Sequence, residues 1–194
     1  MLKRISSLVL ALLIASSPSL FAATYKIDNA HSDIGFRIKH LFSHVKGQFD
    51  EYEGTIEYDP ENPLAFKAQG TVKAQSIDTN VAKRDEHLRS ADFFDTTTYP
   101  ELTFESTDVQ EVGEGKLKVK GNITIHGVTK EATFDVEIHG TGKDPWGNMK
   151  LGLTATTTVN RKDFGLGWNQ VLETGGVLVG DEVQITLELE ANAV

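Results

Sequence analysis

The chain has 194 residues, no cysteine, and 28 Asp and Glu against 19 Lys and Arg, a formal charge of −9. Without cysteine it has no disulfides, so packing must hold the fold, and this length suffices for one domain. The acidic balance disfavours phosphate backbones and anionic membranes, which excludes a nucleic-acid partner and argues against stable membrane insertion.

Lys3 and Arg4 precede an apolar run from Leu8 to Ala15 that is too short to span a bilayer. This is the pattern of an export signal, with cleavage after Ala22 or Ala23, although Leu20 or Phe21 then occupies a position that usually prefers a small residue. The expected division is a leader over 1–22 and one domain over 23–194. A retained membrane anchor is the alternative, but no cysteine follows the run, so lipoprotein processing is excluded; loss of Lys3 and Arg4 takes the formal charge to −11.

From Asp33, Ile34, Phe36, Ile38 and His40 alternate with Asp33, Arg37 and Lys39, a half-buried strand. Val45, Gly47 and Phe49 continue in one parity while Tyr52, Gly54, Ile56 and Tyr58 take the other, which predicts a bulge near Asp50 and Glu51. After a turn over Asp59 to Pro63, Phe66 to Gln75 alternates again.

Residues 76–100 interrupt this pattern. Thr79 or Asn80 can cap a helix over Val81 to Arg89, with Asp85 and Arg89 in the favourable order for a pair four apart. Ser90 can cap a further turn anchored by Phe93 and Phe94, and Tyr99-Pro100 forces extension. One reading makes the insert a plug whose charges pair locally. The other gives Lys83, Arg84, His87 and Arg89 to a ligand head group, since arginine suits phosphate and screening over about 8 Å makes a local cluster matter more than distant net charge.

Strands then recur at Leu102 to Ser106, Leu117 to Ile125, Ala132 to His139, Leu151 to Val159 and Val183 to Glu190, with turns at Gly113 to Gly115, Gly127 and the KDPWGN loop. About eight strands joined mostly by short turns predict an all-β chain: a single antiparallel barrel with a short helical insert, a sandwich being the rival. Such a barrel holds side chains alone or one slender ligand.

His40 and His44 are four apart, but in an extended segment that separation is roughly 13 Å, which argues against zinc. His31, His126 and His139 are scattered, and no metal or other cofactor is expected. Asp92 with Asp95, or Asp85 with Glu86, are the candidate carboxylate pairs, without a visible group to raise either pKa, and Ser32 and Ser76 lie in no nucleophile elbow. No catalytic residue is assigned. Arg161 and Asp163 are expected to share a face of an extended strand at a structural corner, with Gly165 and Gly167 allowing the bend. Trp146 and Trp168 sit in Gly-containing loops, where a ring either lids a cavity or covers a barrel end.

Four segments in order, HSDIGFRIKH, the insert SIDTNVAKRDEHLRSADFFDTTTYP, GNITIHGVTK and NRKDFGLGW, resemble the YceI-like family of periplasmic, lipocalin-like proteins that bind polyisoprenoid lipids. The resemblance covers nearly all of the chain after the leader. It implies a lipocalin-like barrel in the periplasm that binds or carries a polyprenyl phosphate or an isoprenoid quinone. The tail would lie along Ile34, Phe36, Ile38, Phe104, Phe134 and Trp168, the head group near Lys83, Arg84, His87 and Arg89. The alternatives are an enzyme acting on such a lipid and a stress-related structural protein with a filled barrel. The reading admits a homodimer.

Overall fold

Alternation becomes strand throughout the domain. A computed structural model describes residues 22–172 and 175–194, and the expected leader, all but its last residue, lies outside the described residues. The elements are β1 (Ala23–Ile27), β2 (Asp33–His40), β3 (Ser43–Phe49), β4 (Tyr52–Tyr58), β5 (Lys67–Lys73), β6 (Ile77–Asp78), α1 (Ala82–Arg89), β7 (Glu101–Gly113), β8 (Lys116–Ile125), β9 (Val128–Lys143), β10 (Met149–Asn160) and β11 (Val179–Ala193).

Eight strands close an antiparallel barrel in the order β1-β4-β5-β7-β8-β9-β10-β11, sealed where Tyr25 faces Ala193 and Ile27 faces Ala191. Closure removes the free edges that an open sheet would expose. Further along, β11 exchanges its partner: Val183 to Glu188 pair with β2 instead of β1. β2 in turn carries β3, and β3 carries β6. The chain thus runs down one side of β11 as β1 and then β2, and comes back as β3 and then β4, with the break at Asp50 and Glu51 that the parity change predicts. The barrel is sealed at the β1 end and splayed at the β2–β3 end, where the insert sits.

At the sealed end the interior is filled. Tyr25, Tyr58, Phe66, Leu117, Leu151 and Ala191 are buried together, and the Tyr58 and Phe66 rings meet edge to face at 6.3 Å. Outside, lysines face carboxylates across neighbouring strands: Lys67 with Glu57 (3.1 Å), Lys118 with Asp135 (2.6 Å), Lys120 with Glu131 (2.8 Å) and Lys73 with Glu101. Each such exposed pair adds little stability, but together they fix sign complementarity along the sheet.

Several local expectations need correction. β1 lies just after the expected cleavage point, and its five residues are too few to show a period. Helix α1 starts with Val81 at its N-cap and has no side-chain cap bond there, so neither Thr79 nor Asn80 caps it. Instead the buried Asp85 carboxylate accepts the Thr79 amide at 2.9 Å and also the Thr79 hydroxyl. Asp85 therefore makes no pair with Arg89, whose guanidinium donates to the carbonyls of Gln75 (2.8 Å) and Ile77 (2.6 Å). Arg161 and Asp163 lie in a 3-10 turn, Arg161–Phe164, rather than an extended strand. The corner itself is real: it ends at Gly165 with φ +78°, a left-handed conformation that glycine adopts without strain.

Candidate functional site

The alternating apolar residues that seal one end of the barrel leave the other end hollow. Two adjoining chambers lie within the barrel, an outer one of about 290 Å³ and an inner one of about 160 Å³. Phe36, Phe49, Leu102, Ile125 and Ile185 border both and form the waist between them. The combined space falls within the ordinary range for small-molecule sites, about 300–1,000 Å³, and its wall is almost all carbon.

The waist depends on one glycine. Gly47 faces Phe36 across β2 and β3, and a Cβ there would collide with the Phe36 ring and, at 2.8 Å, with Thr79 Cγ2. With only hydrogen at Gly47, Phe36 lies down over the strand and packs against Phe49. Phe49 meets Phe94 of the insert at 5.9 Å, edge to face, which ties the insert into the wall. Deeper in, Phe104 and Phe134 meet at 5.0 Å in the inner chamber.

At the outer chamber stands an aromatic trio drawn from two segments, which marks its mouth. His87 of α1 stands edge-on to Phe93 (5.0 Å) and to Trp168 (4.9 Å), and Phe93 lies 5.1 Å from Trp168. His87 Nε2 is 3.0 Å from the Asp92 carboxylate, which fixes the ring. The Trp168 loop is held from beneath by Arg161, whose guanidinium donates to the carbonyls of Gly180 (2.8 Å), Leu166 (2.5 Å) and Trp168 (2.9 Å). Burial pushes the Arg161 pKa down and the nearby Asp181 opposes it. Arg161 Nη2 and Asp181 Oδ1 stand 3.6 Å apart, each without a hydrogen bond among the described residues. Arg161 thus organises the mouth from the wall.

All six residues assigned to a tail from sequence border the cavity: Ile34, Phe104 and Phe134 the inner chamber, Ile38 and Trp168 the outer, Phe36 both. Of the four assigned to a head group, Arg84 and His87 border the outer chamber; Lys83 and Arg89 do not. Arg84 is held by Thr79, donating from Nε to its hydroxyl (2.7 Å) and from Nη2 to its carbonyl (2.8 Å). Lys83 is exposed on the outer side of α1. Sequence reasoning passed over Phe49, Phe93 and Arg161 as wall residues. Phe49 follows the parity of Val45 and Gly47 and was legible as inward-facing; Arg161 gives no signal, since a buried arginine reads from sequence as surface charge.

His40 and His44 are also differently placed from the extended separation expected. They lie at the tip of the β2–β3 hairpin, where Lys39 pairs with His44 and His40 with Ser43, so the chain folds back between them. They point to opposite faces: His40 borders the outer chamber, while exposed His44 Nδ1 is 3.0 Å from Arg37 Nη2. Among the described residues one cluster has metal-ligand composition, Asp28, His31 and Glu190. Lys150 Nζ already sits between its carboxylates, 3.0 Å from Asp28 and 2.9 Å from Glu190, so a cation of the protein's own occupies the place.

The geometry has counterparts of known structure. BcnA of Burkholderia cenocepacia superposes with a TM-score of 0.76 at 27% identity over 85% of this chain and 99% of its own. A domain from Saccharophagus degradans, described as polyisoprenoid binding and implicated in plant cell wall breakdown, shares the fold with a TM-score of 0.63 at 17% identity, over 89% of this chain and 99% of its own. In sequence, Protein YceI of Shigella flexneri is 43% identical over 169 residues, 86% of this chain and 88% of that protein. The family model described as the YceI-like domain matches residues 25–191, from β1 to the end of the barrel, and the chain belongs to that family.

Proposed function

We propose that this protein binds a long polyisoprenoid lipid in the barrel and carries it through the periplasm as a soluble complex. The observation that supports this most is the pair of adjoining carbon-walled chambers, one bordered by His87, Phe93 and Trp168, the other by Phe104 and Phe134, with Phe36 bordering both. A chain of isoprene units is slender, branched and apolar, as the lumen is. At about 0.8 kcal/mol per buried CH2, one five-carbon unit gives roughly 3–4 kcal/mol before ordering costs, so a few units suffice without polar contacts. The family and the polyisoprenoid-binding neighbour favour binding over catalysis.

Arg84 and His87 are the groups available to a head group at the mouth. A polyprenyl phosphate and an isoprenoid quinone share the tail and differ there. The leader-like start of the chain supports export. Native mass spectrometry on protein released from the periplasm tests the whole reading: a retained isoprenoid mass, lost on organic extraction, is the expected result. Protein recovered only from the cytoplasm, or without bound lipid, overturns it.

A further inference from the structure

The β2–β3 hairpin is basic along most of its length. From Ile34 to Phe49 there is no Asp or Glu, in a chain that carries 28 of them. Its outer face presents Arg37, Lys39, His44 and Lys46, all exposed. Arg37 stands directly opposite Lys46, and Lys39 directly opposite His44. Like charges such as Arg37 and Lys46 in that position cost stability, whereas Glu57 faces Lys67 and Asp135 faces Lys118 in the corresponding position on other strand pairs. Among the described residues none of Arg37, Lys39 and Lys46 lies within ion-pair distance of a carboxylate.

The same hairpin carries an apolar tip. Phe42 is fully exposed at its turn, and the adjoining loop adds exposed Val171 and Val177. The two are joined: the Leu41 amide donates to the Leu178 carbonyl at 3.0 Å, and Leu178 and Val179 border the outer chamber together with His40. A basic face with a protruding aromatic, at the lip of an apolar cavity, matches a surface that is negative at the headgroups and apolar beneath.

We propose that the β2–β3 hairpin docks the protein, mouth first, on anionic lipid bilayers, with Phe42 entering the headgroup region and Arg37, Lys39 and Lys46 facing lipid phosphates. The acidity of the whole chain does not prevent this, because at physiological salt charges beyond about 8 Å are screened and the hairpin's own charge decides the contact. Docking is reversible and superficial: one phenylalanine and three cations hold a protein at the interface without insertion. The inference does not depend on which lipid fills the lumen.

The test is co-sedimentation of residues 23–194, which contain every strand of the barrel, with phosphatidylglycerol–phosphatidylcholine vesicles and with pure phosphatidylcholine vesicles. The wild type should bind the anionic vesicles, release at high salt and ignore the neutral ones. Arg37→Glu should lower binding by at least about tenfold. It also turns the like-charged pair with Lys46 into an opposite one, so its melting temperature should hold or rise, which separates lost docking from lost folding. Phe42→Ser should weaken binding and leave salt sensitivity in place. Both variants should keep the lipid content of the wild type by native mass spectrometry. Equal binding to both vesicle types, or wild-type binding by Arg37→Glu, overturns the proposal, as does a wild type that ignores vesicles and is captured instead by an acidic protein. Vesicle binding by protein with an empty lumen would leave docking standing and remove the lipid-carrier reading.

Discussion

Phe36 and Phe49 meet at the waist of the lumen with ring centroids 5.8 Å apart and planes inclined at 47°. Both rings stand at the boundary between the two chambers, so each has packed neighbours on one side and open cavity on the other. A side chain so placed contributes less to the empty protein than a core residue of its size, and more to whatever fills the cavity.

Phe36→Ala therefore separates a lumen from a core. A buried phenylalanine in a filled interior costs about 3–5 kcal/mol when cut to alanine. Here the expected loss in delipidated protein is about 1–2 kcal/mol, the share of the Phe49 contact and partial burial. The protein as purified should carry less lipid than the wild type. Chemical denaturation of the extracted protein, with mass spectrometry of the unextracted sample, measures both. Full core-sized destabilisation with unchanged lipid would place Phe36 in the structural core.

Leu117→Ala is the opposite case. Leu117 is 1% exposed at the sealed end, among the buried cluster with Tyr58, Phe66 and Leu151, and borders neither chamber. The expected cost is about 2–5 kcal/mol in the lipid-free state, with the folded fraction still retaining lipid. A variant that loses lipid without losing stability would show that the lumen reaches further down than Leu117.

The strands, the closure and the inward stripe were legible in sequence because period-two alternation survives even where the interior is empty: a wall residue facing an apolar cavity is as apolar as one facing core. What alternation does not show is partner exchange. Nothing in β11 marks the point where it leaves β1 for β2, because both partners present apolar residues inward. The insert was legible as helix plus aromatic anchor, but its charges were not assignable. Asp85, Arg84 and Arg89 bind Thr79 or backbone carbonyls, and a side chain hydrogen-bonded to main chain has no signature in residue spacing. The same holds for Arg161.

The Asp28–Lys150–Glu190 cluster gives an acid-sensitive contribution to stability. Lys150 and His31 hold the Asp28 carboxyl well below the usual carboxylate range. Its folded value being depressed, this contribution is present above the ordinary carboxylate pKa of about 3.9 and is lost as pH falls toward the lower folded value. Lys150 itself is raised by Glu190 and Asp28, so its share persists below its ordinary value and is lost only in strong alkali. In Lys150→Met the Asp28 pKa returns toward normal. Melting temperature followed below about pH 4 should then fall less steeply for the variant than for the wild type. Parallel slopes would mean that the cluster is too solvated to matter.

The two tryptophans stand at opposite ends of the barrel and make occupancy of the mouth visible. Trp168 borders the outer chamber and touches His87 and Phe93, while Trp146 lies in the β9–β10 loop at the sealed end and is 84% exposed. Trp146→Phe leaves one reporter at the mouth, and Trp168→Phe leaves one far from it. Trp146 is solvated and makes none of the described aromatic contacts, so its replacement should change stability by no more than about 0.5 kcal/mol. Adding a polyprenyl phosphate to delipidated Trp146→Phe should shift and intensify the Trp168 emission as water leaves the ring. The Trp168→Phe protein should remain silent under the same titration. The midpoint should match lipid uptake measured by mass spectrometry, because one ligand fills one lumen. If the Trp146 signal changes and the Trp168 signal does not, the lipid enters from the sealed end, and the aromatic trio at the mouth is only a structural cover.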